Sequence, residues 1–471
     1  MKKLNQIILK ASSLVLLAFC ITAANAQQLK SLSGANSPND DTNPVWIGNN
    51  TLFFTRAFHP KNIGGKSDPG DIWMTKKDQN GVWTEATHRP DLSSTGYDLV
   101  LGLEDVLTLL VLRIENNSKT IQQYSKFGQE WNLLRTVNFP GLTRIAITVR
   151  QLTKGDFDVN DFIGFSGDNI IVTRTDMNHA AEIYSYNLKK KTWLQITKTN
   201  DEAYAKLALP KYERRYVTTT DGKKMLVWVI LPPNFDKNKK YPALLYCQGG
   251  PQSPLTQSYS FRWNFSLMAS QGYVVVAPNR RGMYGHGQEW NEQISKDWGG
   301  QVMDDYLSAI DDVAKESYVD KSRLGAVGAS YGGYSVFYLA GIHNNRFKTF
   351  ISHCGVFNLE SMYGTTEEVF FNNWDHGGAY WEKDNAVAQK TYTKFNPIKM
   401  VDKWNTPILI IQGGKDYRVP IGQGQEAFQA AQLRGIKSRF MLFPEENHWV
   451  LKPQNALVWQ REFYKWLNET L

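Results

Sequence analysis

Hydrophobic and polar positions follow two different rhythms along this chain, and the change falls near residue 205. Before it, apolar runs are short, alternate with polar residues, and are separated by Gly, Asn and Asp. Examples are Thr51-Leu52-Phe53-Phe54-Thr55, Asp71-Ile72-Trp73-Met74 and Asn169-Ile170-Ile171-Val172-Thr173. A period of two with turn residues between runs predicts antiparallel strands. After it, a hairpin is predicted over 212–219 and 224–231. Near-continuous apolar runs follow at 243–247, 273–277, 324–328, 349–354, 408–412 and 439–443. Helical periodicity covers 301–317, 331–343, 422–434 and 453–467. Strands apolar on both faces, alternating with helices, predict a doubly wound, mostly parallel sheet.

The first half carries a weak repeat. Gly81-Val82-Trp83-Thr84-Glu85-Ala86-Thr87 returns loosely as Glu130-Trp131-Asn132-Leu133-Leu134-Arg135-Thr136, and again as Lys191-Thr192-Trp193-Leu194-Gln195-Ile196-Thr197. The interval is comparable to the ~40–50 residues of a four-stranded propeller blade. Propeller-like blades are the expectation; a β-sandwich with coincidental tryptophans is the alternative.

The first 26 residues stand apart. Lys2, Lys3 and Lys10 precede and flank an apolar stretch from Ile7 to Ile21, and Ala24-Asn25-Ala26 ends it with small residues. This reads as a secretory signal peptide cleaved before Gln27, with a membrane anchor as the alternative. Export to the periplasm or the medium follows. No later stretch has the length and apolarity of a membrane span. The formal charge of +8 is spread without a basic block, which excludes a nucleic-acid footprint. Cys247 and Cys354, the cysteines beyond the leader, lie in apolar runs and read as buried free thiols. Neither they nor the eight scattered histidines have metal-ligand spacing, so no metal or other cofactor is expected.

The chemistry concentrates in three strand ends. Gly328-Ala329-Ser330-Tyr331-Gly332 is a G-x-S-x-G segment between an apolar strand and an apolar helix. That is the setting of a nucleophile elbow, in which the chain turns so sharply that Ser330 projects from the sheet edge. Asp416 follows the run 408–411, with Glu445 and Glu446 as rival acids, and His448 follows the run 440–443. His448 is positioned to take the Ser330 proton, and an acid is needed to fix its tautomer. The Tyr331 backbone N–H is one expected oxyanion donor. The second is expected from the Gln248-Gly249-Gly250-Pro251 loop.

Taken together, Gly249-Gly250-Pro251, Asn279-Arg280-Arg281-Gly282, Asp297-Trp298-Gly299-Gly300, Gly328 to Tyr334, Asp416-Tyr417-Arg418-Val419 and Asn447-His448 resemble the prolyl oligopeptidase family of serine peptidases, especially its bacterial dipeptidyl- and acylaminoacyl-type members. The resemblance spans 206–471. It implies an α/β-hydrolase catalytic domain there, preceded over 27–205 by an all-β, partial β-propeller-like region that admits short peptides. That region has room for three or four blades. Residues 150–205 look like the last blade, and 30–145 like generic blade repeats.

Many relatives place a tyrosine where Gln248 stands, so the second oxyanion donor is either the Gln248 amide or a backbone N–H of the loop, with Gly249 beside it. Proline-specific relatives line the P1 pocket with aromatic rings where Leu359 and Met362 stand by position. With Val356 and Val419, these two predict a deformable pocket for small or hydrophobic P1 residues rather than proline. Arg418 matches an arginine that in relatives bonds the P2 carbonyl, with a structural ion pair as the alternative. The expected activity is release of dipeptides from short peptides. The alternatives are an esterase on the same triad, or a binding protein limited by an incomplete propeller. Expected partners are peptide substrates, with no nucleic acid; a homodimer is left open.

Overall fold

The computed structural model describes residues 41–47, 50–105, 108–115, 118–127, 130–138 and 151–471. The predicted signal peptide lies outside them. The chain divides into two compact units, Met1–Arg150 and Gln151–Leu471.

The first unit holds two four-stranded antiparallel sheets, each a simple meander. One is β1 (Asp41–Ile47), β2 (Thr51–Arg56), β3 (Asp71–Lys76) and β4 (Thr87–His88). The other is β5 (Tyr97–Asp105), β6 (Thr108–Glu115), β7 (Ser118–Phe127) and β8 (Glu130–Asn138). The alternation read from the sequence now has a destination. Phe53, Ile72, Val100, Leu109, Val111 and Trp131 turn to a shared core, while their neighbours along each strand face away.

The second unit opens with a third meander: β9 (Asp158–Ser166), β10 (Asn169–Asp176), β11 (His179–Asn187) and β12 (Thr192–Gln195). The repeated tryptophans mark equivalent places in the three sheets. Trp131 lies on β8 and Trp193 on β12, each the fourth strand of its sheet. Trp83 is bridged to Lys77 just before β4. Each of these three sheets among the described residues has the four strands expected of the repeated unit.

Next comes an eight-stranded sheet of β13 (Lys211–Thr218), β14 (Lys224–Leu231), β15 (Tyr241–Cys247), β16 (Val274–Pro278), β17 (Val319–Ala329), β18 (Thr349–His353), β19 (Ile408–Gly413) and β20 (Ser438–Phe443). Its order is β13-β14-β16-β15-β17-β18-β19-β20. The first two pairings are antiparallel and the rest parallel. The helices used below are α1 (Phe265–Ser270), α2 (Gln301–Val313), α3 (Tyr331–Ile342), α4 (Leu359–Thr365), α5 (Val369–His376), α6 (Ile421–Leu433) and α7 (Pro453–Thr470).

Each central strand feeds two cores. On β15, Ala243, Leu245 and Cys247 face the side covered by α2, α3 and α6. Leu244 and Tyr246 face the side covered by α1 and α7. This is why the strands read as unbroken apolar runs. Helix α3 is buried from Tyr331 to Gly341 and so shows no polar face. Both cysteines are buried and free.

Candidate active site

Ser330 sits at the turn from β17 into α3 with φ 60° and ψ −124°. A non-glycine residue held there stores on the order of 1–3 kcal/mol of strain. The surroundings impose it. The Ser330 N–H donates to the His353 carbonyl at 2.9 Å, and the Tyr334 N–H donates to the Ser330 carbonyl at 2.9 Å. The flanking glycines are steric necessities. A Cβ at Gly332 would lie 2.0 Å from the Cys247 carbonyl oxygen, and one at Gly328 would lie 2.5 Å from the Gly332 carbonyl oxygen.

Asp416 leaves the C-terminal end of β19, and His448 lies in the loop beyond β20. They meet. His448 Nδ1 is 2.7 Å from Asp416 Oδ2, with the carboxylate fully buried. The other carboxylate oxygen accepts the Arg418 and Val419 N–H groups at 3.0 and 2.9 Å, which fixes its plane. The rival acids are occupied elsewhere. Glu445 pairs with Lys415 at the surface, 2.6 Å away. Glu446 accepts from the Leu451 and Lys452 N–H groups and the Asn455 side chain ahead of and within the first turn of α7.

Ser330 and His448 line one cavity of about 480 Å³ together with Tyr331, Gln248, Gly249, Val356, Met362, Arg418 and Val419. Gly249 lies close over the elbow, its ideal Cβ position 3.0 Å from the Ala329 carbonyl oxygen. The Gln248 side-chain amide donates to Ser253 Oγ at 3.2 Å.

Leu359 does not line the cavity. It opens α4, its N–H donates to Asn396 Oδ1 at 3.0 Å, and its side chain is fully buried in the core. The P1 assignment by position is therefore corrected. Met362, one turn further along, is the residue of α4 that reaches the cavity, because the first turn is pinned inward. Trp298 and Phe371 complete the wall beside Val356 and Val419. Trp298 had stood only as part of a family signature. Phe371 precedes a polar, glycine-rich stretch and carries no signal in the sequence. Arg418 lines the cavity in an ion pair, with Nε 2.8 Å from Glu368 and Nη2 3.6 Å from Glu367.

A further residue organises the site from behind. Arg280 is fully buried and uses its whole guanidinium fork. Nη1 donates to the Pro251 and Arg281 carbonyls at 2.6 and 2.7 Å, Nη2 to the Gln248 carbonyl at 3.0 Å, and Nε to the Tyr306 hydroxyl at 2.9 Å. It thus holds the Gln248–Pro251 loop over Ser330. Arg280→Met should orphan several buried carbonyls and cost about 3–5 kcal/mol of stability, measured by denaturant unfolding. Arg280→Lys should recover little of it, since an ammonium lacks the planar fork.

Cys354, Asp416 and His448 bring their ligand atoms within 4.8 Å of one another, which is close enough to hold a metal ion. The donors suit one poorly. The Asp416–His448 bond occupies two of them, and burial holds the Cys354 thiol protonated.

The strand order and the serine elbow place the second unit among the α/β hydrolases. Residues 259–471 match the prolyl oligopeptidase family. Dipeptidyl-peptidase 5 of Porphyromonas gingivalis is 54% identical over 323 residues, covering 69% of this chain and 47% of that protein. Dipeptidyl-peptidase 5 of Porphyromonas endodontalis is 52% identical over 325 residues, covering 69% and 46%. The chain thus spans about half the length of these relatives. Among solved structures, the uncomplexed acylaminoacyl peptidase of Pyrococcus horikoshii superposes with a TM-score of 0.69 at 19% identity, over 93% of this chain and 71% of that one. At that identity the likeness is one of fold.

Proposed function

We propose that this chain is a serine peptidase that releases dipeptides from the unblocked N-termini of short peptides, with small or hydrophobic P1 residues preferred over proline. The observation that carries the reading is the buried Asp416–His448 pair opening on the same cavity as the strained Ser330. In the mechanism, His448 takes the Ser330 proton as Oγ attacks the P1 carbonyl carbon. It then passes that proton to the leaving amine as the C–N bond breaks. Asp416 holds the imidazole tautomer and balances the imidazolium. The Tyr331 N–H, at the start of α3, and an N–H of the Gln248–Gly249 loop receive the oxyanion. Water then hydrolyses the acyl-enzyme by the same route.

Two features support peptides over simple esters. The cavity pairs an apolar wall of Trp298, Val356, Met362, Phe371 and Val419 with polar groups for an extended backbone. The relatives named dipeptidyl-peptidase 5 match 69% of this chain at more than half identity. Met362 keeps part of the P1 wall adaptable, which favours varied apolar side chains over a rigid ring. The charge and apolarity of residues 1–26 support export of the mature enzyme.

Chromogenic dipeptides, free or N-acylated and varied at P1, test the reading. Free N-termini are expected to be cut faster, with Ala, Val or Leu at P1 ahead of Pro. Faster cleavage of the N-acylated set would place the activity with acylaminoacyl peptidases. Turnover of simple esters alone would make it an esterase.

A further inference from the structure

Two arginines line the Ser330 cavity, and their electrostatic situations are opposite. Arg418 is neutralised by Glu368 and Glu367. Arg262 has no ion-pair partner among the described residues, and its buried Nη1 has no hydrogen-bond acceptor. The carboxylate that acts on it, Glu446, makes no ion pair with it. Burial keeps the Tyr246 hydroxyl and the Cys354 thiol protonated and leaves His353 neutral. Glu446 is spent on the N–H groups that lead into α7. Burial also pushes the Arg262 guanidinium below its usual range, as expected of a cation desolvated without an ion-pair partner.

The position is rigid. Gln460 Nε2 donates to the Arg262 carbonyl at 2.7 Å and to the Phe261 carbonyl at 3.2 Å. The Trp263 N–H donates to Ser260 Oγ at 3.0 Å, and the Trp263 ring packs edge-on against Trp459. The backbone that presents the guanidinium to the cavity is therefore held in place. Its wall is also distinct from the P1 wall. Val356, Met362 and Val419 belong to the core on the α3 side of the sheet. Tyr246 and Trp263, beside Arg262, belong to the core on the α7 side. Ser330 lines the same cavity as both walls, which leaves room for an acyl group against the first and its leaving group against the second.

We infer that Arg262 binds the α-carboxylate of the leaving fragment, making short peptides with a free C-terminus the preferred substrates. This rests on the peptidase reading above. Arg262 takes no part in bond making: the carboxylate passes unchanged from substrate to the released amino acid or peptide. A desolvated guanidinium suits a carboxylate because two parallel N–H groups match its two oxygens.

The test uses the full chain and three substrates sharing one N-terminal dipeptide: a tripeptide acid, the same tripeptide amide, and the dipeptidyl 4-nitroanilide. The wild-type protein is expected to favour the acid over the amide by about 10- to 100-fold in kcat/KM. Arg262→Met should bring that ratio to about one, chiefly through KM, while nitroanilide turnover falls less than about threefold. Arg262→Lys should restore part of the ratio. A wild-type ratio near unity, a ratio that Arg262→Met leaves intact, or an equal loss on all three substrates overturns the inference. If Arg262→Met does not fold, the wild-type ratio and Arg262→Gln decide it. If wild type turns over none of the three, nitroanilide included, the peptidase reading fails and takes this inference with it.

Discussion

Ser330→Ala is expected to lower kcat by about six orders of magnitude while leaving the fold intact. The loss follows from removing the only atom in the cavity proposed to bond the P1 carbonyl carbon. The survival of the fold follows from what holds the elbow. The Ser330 N–H and carbonyl make its two backbone bonds, to His353 and from Tyr334, and alanine keeps both. The close packing at Gly328 and Gly332 is likewise untouched. The unfolding midpoint should therefore match wild type. A fluorophosphonate probe should label wild type at Ser330 alone and the variant not at all. Labelling that survives the substitution would sink the assignment.

Asp416→Asn is expected to cost about 10⁴ in kcat with a much smaller change in KM. The structure isolates the effect to one oxygen. Oδ1 accepts the Arg418 and Val419 N–H groups, and an asparagine can keep its amide oxygen there. That leaves the NH₂ group facing His448 Nδ1, where Oδ2 now accepts. A donor at that place selects the imidazole tautomer that cannot take the serine proton, and no negative charge remains to balance the imidazolium. Glu445→Gln is the control: its carboxylate pairs with Lys415 at the surface and should leave kcat within about twofold. A loss below tenfold for Asp416→Asn would mean that another group orients His448.

The parts of this site that could be read in advance are those whose chemistry is written locally. The elbow requires glycines around Ser330, and steric crowding gives every such turn the same signature. Asp416 and His448 were legible because strands of a parallel sheet end on one edge, so order along the chain becomes proximity in space. The cavity walls were not legible in this way. Leu359 and Met362 are three residues apart on one short helix. Which of them faces the cavity depends on Asn396, far along the chain, pinning the first turn inward. Phe371 reaches the wall from α5, a short helix in a polar stretch with little periodicity to betray it. Arg280 was visible as part of a signature, but its task depends on carbonyls contributed by a different loop. The three β-meanders were legible as repeats because each sheet places its tryptophan on or just before its fourth strand.

The segment after β15 that carries Arg262 is moored at both ends. The β9–β10 meander holds its beginning, through Asp158 bonded to the Thr256 hydroxyl and, at 3.1 Å, to the Gln257 N–H. Helix α7 holds its end, through Gln460 on the carbonyls of Phe261 and Arg262. A substitution at Asp158 or Gln460 can therefore shift the cavity wall without touching substrate or the reacting atoms. Selection acting on this chain has handles for retuning its substrate range at sites where the catalytic groups place no constraint.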